Sequence, residues 1–414
     1  MIELLDKGEK VKAASRKLRL LSTDEKNDAI LSISRELEAQ KEGILLANSI
    51  DVENSKKKGM KESLVDRLAL SEDRIAGMIE SCKNVVSLSD PVGEIENTWV
   101  QKEGLQISRV RVPIGAIGMI YESRPNVTVD ASILSLKSGN SVLLKGGSDA
   151  INSNKAIVSI IKKALTSAGL PEGSVELVED TSHQAVEEML KMNQYLSLII
   201  PRGGAGLIKF VVNNSRIPVI ETGTGNCHIF IDYNADVDKA VMIVDNAKTQ
   251  RPGTCNAVET LLVHRAIAAE FIPRAAQILT EKGVELRGCT ESIRYWKMLP
   301  ATEEDYATEF LDLVLAVKIV EDVDEAISHI EKYSTGHSEA ILTNDYANSR
   351  RFLKAVDSAA VYVNASTRFT DGGEFGFGSE IGISTQKLHA RGPFGLKELT
   401  SYKYTILGDN QVRK

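Results

Sequence analysis

Cysteine is scarce in this chain: four among 414 residues, Cys82, Cys227, Cys255 and Cys289, all far apart. That spacing excludes a disulfide framework and a Cys-x-x-Cys zinc site, and it fits a reducing compartment. Long apolar runs are missing too, since none approaches the roughly 18 residues of a membrane span. The first residues lack the apolar core of a signal peptide, and Glu3, Asp6 and Glu9 run against a transit peptide. There is no block of positive charge. Lys56-Lys57-Lys58 is short and lies beside acids, and a net charge of −7 argues against a general nucleic-acid binder. Only 10 prolines and no repeat or low-complexity tract interrupt the pattern. The expectation is a soluble cytoplasmic protein with no metal, no nucleic acid and no membrane among its partners.

What remains is ordinary globular composition, 43% hydrophobic and 26% charged, with length for about two to four domains. The first 90 residues read as helices. Ser22-Thr-Asp-Glu25 forms a capping box that opens an amphipathic run to about Ala47, and a second run covers about Ser71 to Val86. From about residue 114, short apolar runs alternate with helical periods: Ala116–Tyr121, Ser141–Leu144, Val175–Val178, Leu196–Ile200 and Ile217–Ile220. Five such strands separated by helices predict right-handed crossovers and a parallel, doubly wound, nucleotide-binding sheet. A second α/β series starts at His228-Ile-Phe-Ile231. Its strands are expected at Thr260–Val263, Leu313–Ile319, Glu339–Leu342 and Ala360–Val363. Glu103–Val112 and Thr400–Ile406 alternate like strands; they pair either across a subunit boundary or in a small local sheet.

Cys255 carries the most information. It lies in Thr249-Gln-Arg-Pro-Gly-Thr-Cys255, after a helical period and before an apolar strand. Pro252 and Gly253 bend the chain and allow close approach of the backbone. Lys248 and Arg251 place cations nearby, which favours the nucleophilic thiolate. The competing reading is a small buried apolar cysteine. A second cluster is Lys145-Gly-Gly-Ser148, in which a strand ends on a cation, turns on glycine and meets Ser148 as a helix N-cap. A phosphate fits such a place, and the lack of an immediate carboxylate tolerates a ribose 2′-phosphate, favouring NADP(H). Otherwise Lys145 is a solvated strand end. Asn126, in Tyr121-Glu-Ser-Arg-Pro-Asn126, is either an oxyanion donor or a simple helix cap. Gly115-Ala-Ile-Gly118 and Gly203-Gly-Ala-Gly206 are each a weak dinucleotide signal.

Taken in order, Pro125-Asn126, Lys145 with its turn, the glycines after the fourth strand, Glu221-Thr-Gly, Gly-Thr-Cys255 and Glu309-Phe-Leu-Asp resemble the aldehyde dehydrogenase superfamily. The segments just quoted around Asn126, Lys145 and Cys255 resemble one branch of it, the γ-glutamyl phosphate reductases. So do Tyr362-Val-Asn-Ala-Ser-Thr-Arg368 and Phe375-Gly-Phe-Gly-Ser-Glu-Ile-Gly382. The resemblance runs to about residue 407. It implies an α/β fold with an NADP-binding domain over 1–98 and 113–226, a catalytic domain over 227–390, and an oligomerisation arm over 99–112 and 391–414. It implies Cys255 as nucleophile, Asn126 with the Cys255 backbone N–H as oxyanion hole, and Glu221 in the place of a general base. Lys145, Ser148, Arg202, Gly203, Gly204 and Glu309 match cofactor-binding positions. Arg202 departs from the small hydroxyl residue usual there, and Ser148 stands where many NAD-preferring relatives carry Glu. Ser123, Arg124 and Arg251 are expected at the phosphoryl end of the substrate, and Ser366, Thr367 and Arg368 at its amino-acid end. The implied reaction is NADPH-dependent reduction of L-glutamyl 5-phosphate to glutamate 5-semialdehyde in proline biosynthesis. A homo-oligomer, dimer or higher, and a glutamate 5-kinase partner accompany it. The alternatives are another aldehyde or acyl-phosphate dehydrogenase, a cysteine hydrolase or acyltransferase with a histidine base, and a non-catalytic protein on the same fold.

Overall fold

The computed structural model describes residues 2–413. It divides into two compact units. One runs to Thr222 and takes in Gly376–Gly382 and the segment from Phe394; the other is Gly223–Phe375 with Ile383–Pro393.

The first unit opens with five helices: α1 (Ile2–Leu18), α2 (Thr23–Ala39), α3 (Lys41–Lys57), α4 (Glu62–Leu68) and α5 (Glu72–Ser87). The capping box is present, with the Glu25 amide donating to Ser22 Oγ and the Ser22 amide donating to Glu25 Oε2 at 2.7 Å. The single run expected to Ala47 is instead two helices. Gln40 breaks it, its amide closing α2 on Glu36 and its carbonyl accepting from Ile44 in α3. Neither glycine nor proline marks this break, so the periodicity runs through it.

Strands β1 (Ile95–Val100) and β2 (Gln106–Pro113) then form a hairpin. The parallel sheet comes next: β3 (Ala116–Tyr121), α6 (Asn126–Lys137), β4 (Ser141–Gly146), α7 (Ile151–Ser167), β5 (Val175–Leu177), α8 (His183–Met189), β6 (Leu198–Arg202) and α9 (Ala205–Asn214). The order is β5-β4-β3-β6, with every pair parallel. This is the doubly wound pattern, in which the chain reverses direction across the sheet beside β3. It has four strands, not five. Ile217–Ile220 meets β6 only through a bridge between Ile199 and Val219, because Pro218 has no N–H with which to continue the ladder.

The second unit holds a seven-stranded, wholly parallel sheet in the order β10-β9-β11-β8-β7-β12-β13. In chain order it reads β7 (Cys227–Ile231), α10 (Val237–Thr249), β8 (Val258–His264), α11 (Ala268–Glu281), β9 (Glu285–Gly288) and β10 (Leu299–Pro300). Next come α12 (Glu303–Ala307), β11 (Val314–Val320), α13 (Val323–Tyr333), β12 (Ser338–Leu342), α14 (Tyr346–Ala355) and β13 (Ala360–Val363). The central strands are buried on both faces, and Ile229, Leu261, Val317 and Ala340 join α10 and α11 in one core. The short, half-polar β9 and β10 have no apolar run to announce them.

Two short strands, β14 (Gly382–Ser384) and β15 (Gly392–Phe394), precede β16 (Thr400–Leu407). β16 lies antiparallel on β2 of the same chain, so of the two arrangements open from sequence the structure has the local sheet, ordered β1-β2-β16. Ile95, Trp99, Val100, Tyr404, Ile406 and Leu407 stay exposed on it.

Candidate active site

α10 stops at Thr249 and β8 starts at Val258; between them the polar turn presents Cys255, half-buried and outside any disulfide. The backbone beneath the thiol is fixed from several sides. The Cys255 carbonyl accepts from the Cys227 thiol at 3.1 Å, and burial raises the Cys227 pKa, so that sulfur keeps its proton to donate. Gly225 passes directly under the same carbonyl; a Cβ there would lie 1.4 Å from the Cys255 oxygen. Asn256 Nδ2 donates to the carbonyls of Arg368 (3.2 Å) and Thr370 (3.0 Å), and the Thr367 hydroxyl donates to the Asn256 carbonyl at 2.7 Å. The Arg368 guanidinium reaches Gln250 Oε1 (2.9 Å), Thr254 Oγ1 (3.0 Å) and Asn256 Oδ1. Ser366 is buried and accepts from the Arg368 amide. The stretch expected at the amino-acid end of the substrate thus braces the nucleophile turn.

One expected contribution is corrected. Lys248 is not a free cation near the thiol. It is fully buried, with its ammonium 2.5 Å from Glu259 Oε2. Arg368 is a cation that interacts with Cys255 electrostatically; burial, then Arg251, lowers its own pKa. Arg251 itself is exposed on the turn.

Glu309 comes after α12, half-buried, with Oε1 accepting the Gly225 amide at 2.6 Å. Burial raises its pKa, and the Gly225 bond opposes the shift. Gly225 therefore serves twice, giving its N–H to Glu309 and its bare Cα to the Cys255 carbonyl.

In the first unit, the expected residues gather at the carboxyl ends of β3, β4 and β6, where open α/β sheets bind ligands. Asn126 is exposed at the start of α6. It does not cap the helix: Pro125 holds the cap position, and the side-chain Nδ2 of Asn126 donates to Asp130 Oδ2 at 3.1 Å. Ser123 Oγ donates to Asp149 Oδ2 at 3.4 Å. Arg124, Arg202 and Glu221 are half-buried, and Arg202 ends β6. Lys145 is buried and not solvated, with Nζ 3.2 Å from the Gly146 carbonyl. Burial lowers its pKa against the opposing charge of Asp180.

Two further expectations change. Ser148 is not an N-cap. It opens a short 3-10 turn, Ser148–Ala150, while the first amides of α7 are taken by Asp51 from α3, at 3.2 Å from Asn152 N and 2.7 Å from Ser153 N. An aspartate remote in sequence supplies the cap, so no local signal could reveal it. Ser148 instead lines a cavity of about 290 Å³ with Asn54, Ser55, Lys57, Lys58 and Asn152. Lys57 and Lys58 were invisible as site residues because only folding brings α3 beside this turn. Gly203 and Gly204 are exposed before α9, but the Gly204 amide is already bonded to Glu122 Oε2 at 2.8 Å. Helix amides satisfy a nearby carboxylate as readily as a phosphate. Among the described residues, no cluster of His, Cys, Asp or Glu is arranged to hold a metal ion.

Compared with known proteins, residues 8–285 match the aldehyde dehydrogenase family. A γ-glutamyl phosphate reductase of Kosmotoga olearia is 62% identical over 414 residues, covering all of both chains. The crystal structure of γ-glutamyl phosphate reductase from Thermotoga maritima superposes with a TM-score of 0.98 at 59% identity, again covering both chains in full. An engineered glycolyl-CoA reductase solved with NADP⁺ bound shares the fold, with a TM-score of 0.70 at 17% identity over 98% of this chain and 96% of that one.

Proposed function

This chain belongs to the aldehyde dehydrogenase family, and from that premise we propose that it reduces L-glutamyl 5-phosphate to L-glutamate 5-semialdehyde and phosphate, a step of proline biosynthesis. The observation that carries the reading is full-length similarity to γ-glutamyl phosphate reductases, with an accessible cysteine held on a braced turn.

Cys255 attacks the acyl phosphate carbon as thiolate. The S–C bond forms, the bond from the acyl carbon to the bridging oxygen breaks, and phosphate leaves with that oxygen and the bonding pair. Asn126 and the Cys255 backbone N–H are assigned to the transient oxyanion, on the resemblance and on the Asn126 amide being exposed. A nicotinamide cofactor, when bound, supplies hydride to the thioester carbon. The resulting thiohemiacetal expels the Cys255 thiolate and releases the aldehyde. The thioester is reduced and not hydrolysed in this direction, so Glu221 has no water to activate, and phosphate, already anionic at neutral pH, resolves the thioester in reverse.

The residues present fit a dinucleotide carrying a 2′-phosphate. Ser148 leaves the cavity wall without the glutamate of NAD-preferring relatives, and Lys57 and Lys58 face the same space. Asp51, the cavity's most buried acid, is spent on capping α7, and Asp149 has Lys58 at 4.0 Å. Glu309 would hold the nicotinamide ribose through the oxygen not given to Gly225. Lys145 and Arg202 are assigned to the adenosine side. The cofactor diphosphate would compete with Glu122 for the Gly204 amide.

The exposed apolar residues of the β1-β2-β16 sheet, with both edge strands open, support assembly into a homo-oligomer through this arm. Among the described residues no helix is long and apolar enough to cross a membrane, and a cytoplasmic location accords with a biosynthetic reductase. A hydrolase reading gains no base from His337. Its ring faces Cys227 Sγ at 3.7 Å and Ser338 Oγ at 2.7 Å, and burial pushes its pKa down to about 4, too weak for a base at neutral pH. The test is NADP⁺ reduction by glutamate 5-semialdehyde plus phosphate, with NAD⁺ in parallel. Phosphate-dependent turnover favouring NADP⁺ is expected; indifference to phosphate would reject the reading.

A further inference from the structure

We propose that Glu259, its buried charge balanced by Lys248, is a positioning residue that through Leu311 fixes where Glu309 stands. The two residues bracket the turn that holds Cys255: Lys248 is the penultimate residue of α10 and Glu259 the second of β8. Their side chains are fully buried and meet at 2.5 Å, so one ion pair joins both ends of the turn. The other carboxylate oxygen, Glu259 Oε1, accepts the amide of Leu311 at 3.1 Å.

Leu311 is two residues beyond Glu309 and holds a left-handed backbone, φ 53°, which a leucine seldom adopts unless its surroundings impose it. The bond to Glu259 is the fixed point that imposes it. From there the chain runs back to Glu309, whose Oε1 takes the Gly225 amide, and Gly225 lies under the Cys255 carbonyl. A closed circuit results, Cys255 turn to Glu259 to Leu311 to Glu309 to Gly225 and back to Cys255. Neither Lys248 nor Glu259 has solvent access from which to touch substrate. Both act through other residues.

The inference rests on Cys255 being the nucleophile. A single Glu259→Gln exchange leaves the Lys248 ammonium buried without a counter-charge, so loss of folding would result whatever the role. Two double variants separate the effects, because a buried pair is replaceable by apolar side chains with little loss of stability. Lys248→Met with Glu259→Gln keeps an oxygen for the Leu311 amide; Lys248→Met with Glu259→Leu removes it. Turnover within about threefold of wild type is expected for the first. For the second we expect a fall of about a hundredfold at a similar thermal midpoint, as for a misplacement near 1 Å, with a raised KM for the cofactor.

Equal turnover in the two double variants, high or low, overturns the inference. Cys255→Ser is assayed beside them. If it stays active the nucleophile reading falls; if it is inactive while the double variants agree, only the positioning claim falls. Should a double variant fail to fold, hydrogen exchange on the wild-type chain decides. A Leu311 amide protected like those of β8 upholds the circuit, and one exchanging like an exposed loop amide overturns it.

Discussion

Adding one carbon at Gly225 probes the bracing of the nucleophile most sharply. The Cβ of Gly225→Ala would lie 1.4 Å from the Cys255 oxygen and 2.3 Å from its carbonyl carbon, against an ordinary contact of 3.4–4 Å. About 2 Å of separation must therefore be found (for one methyl group). The Gly225 side cannot yield readily. Asn226 donates to the carbonyls of Tyr306 and Tyr333, each at 2.8 Å, and its amide to Thr335 Oγ1 at 3.0 Å, while Thr335 Oγ1 also holds the Thr224 carbonyl at 2.6 Å. The Cys255 turn must move instead, away from Cys227. Even half of that displacement, a shift near 1 Å, is worth about a hundredfold in rate, or about 2.7 kcal/mol of barrier, and overpacking adds about 1–3 kcal/mol of instability. Turnover, thermal midpoint and the alkylation rate of Cys255 are measured together. A Gly225→Ala enzyme with kcat within threefold of wild type and an unchanged midpoint would refute the packing described here.

Arg368→Ala should lower kcat by roughly ten- to a hundredfold with little change in the KM for semialdehyde, since three bonds to the nucleophile turn are lost, some worth about 1.5–3 kcal/mol. A raised KM at constant kcat would place Arg368 on the substrate instead. Lys58→Ala should raise the KM for NADPH roughly tenfold and leave that for NADH unchanged, because only the former carries the extra phosphate. Equal weakening would contradict the cavity's assignment. His337→Gln should flatten the pH dependence of stability below neutrality. Burial lowers the His337 pKa from 6.5 to about 4, so the unfolded chain binds the extra proton first; stability is complete above about 6.5 and falls as pH drops toward 4. Urea midpoints across that range should show the wild type losing up to about 3 kcal/mol more than the variant; parallel curves would refute it.

Much of the fold is legible because its strands are apolar runs of the right length. β3 and β13 lie where the pattern puts them, Ala116–Tyr121 and Ala360–Val363. The turn at Cys255 is legible for a local reason, since Pro252 and Gly253 stop a helix and expose the cysteine beyond it. The remainder depends on residues that meet only in three dimensions. The break at Gln40 carries no glycine or proline, and Pro218 turns an apolar run into a single bridge. Ser148 looks like a cap until Asp51 arrives from α3, and the lysines beside it, exposed in the fold as well, read as plain surface charge until folding brings them to the cavity at that turn. Lys248 reads as an activating cation, and its burial against Glu259, eleven residues on, results from how α10 packs on β8. Motifs announce which residue types do the chemistry; the packing that holds them is spread over the chain.

Covalent catalysis by Cys255 with phosphate as the resolving group is tested most directly by a rapid-mixing experiment without phosphate. Enzyme, glutamate 5-semialdehyde and excess NADP⁺ are combined, and NADPH is monitored. The account predicts a burst of about one NADPH per chain that then stops, a glutamyl adduct on Cys255 by mass spectrometry, and renewed turnover when phosphate is added. Steady NADPH formation without phosphate, or a burst that leaves Cys255 unmodified, would contradict it.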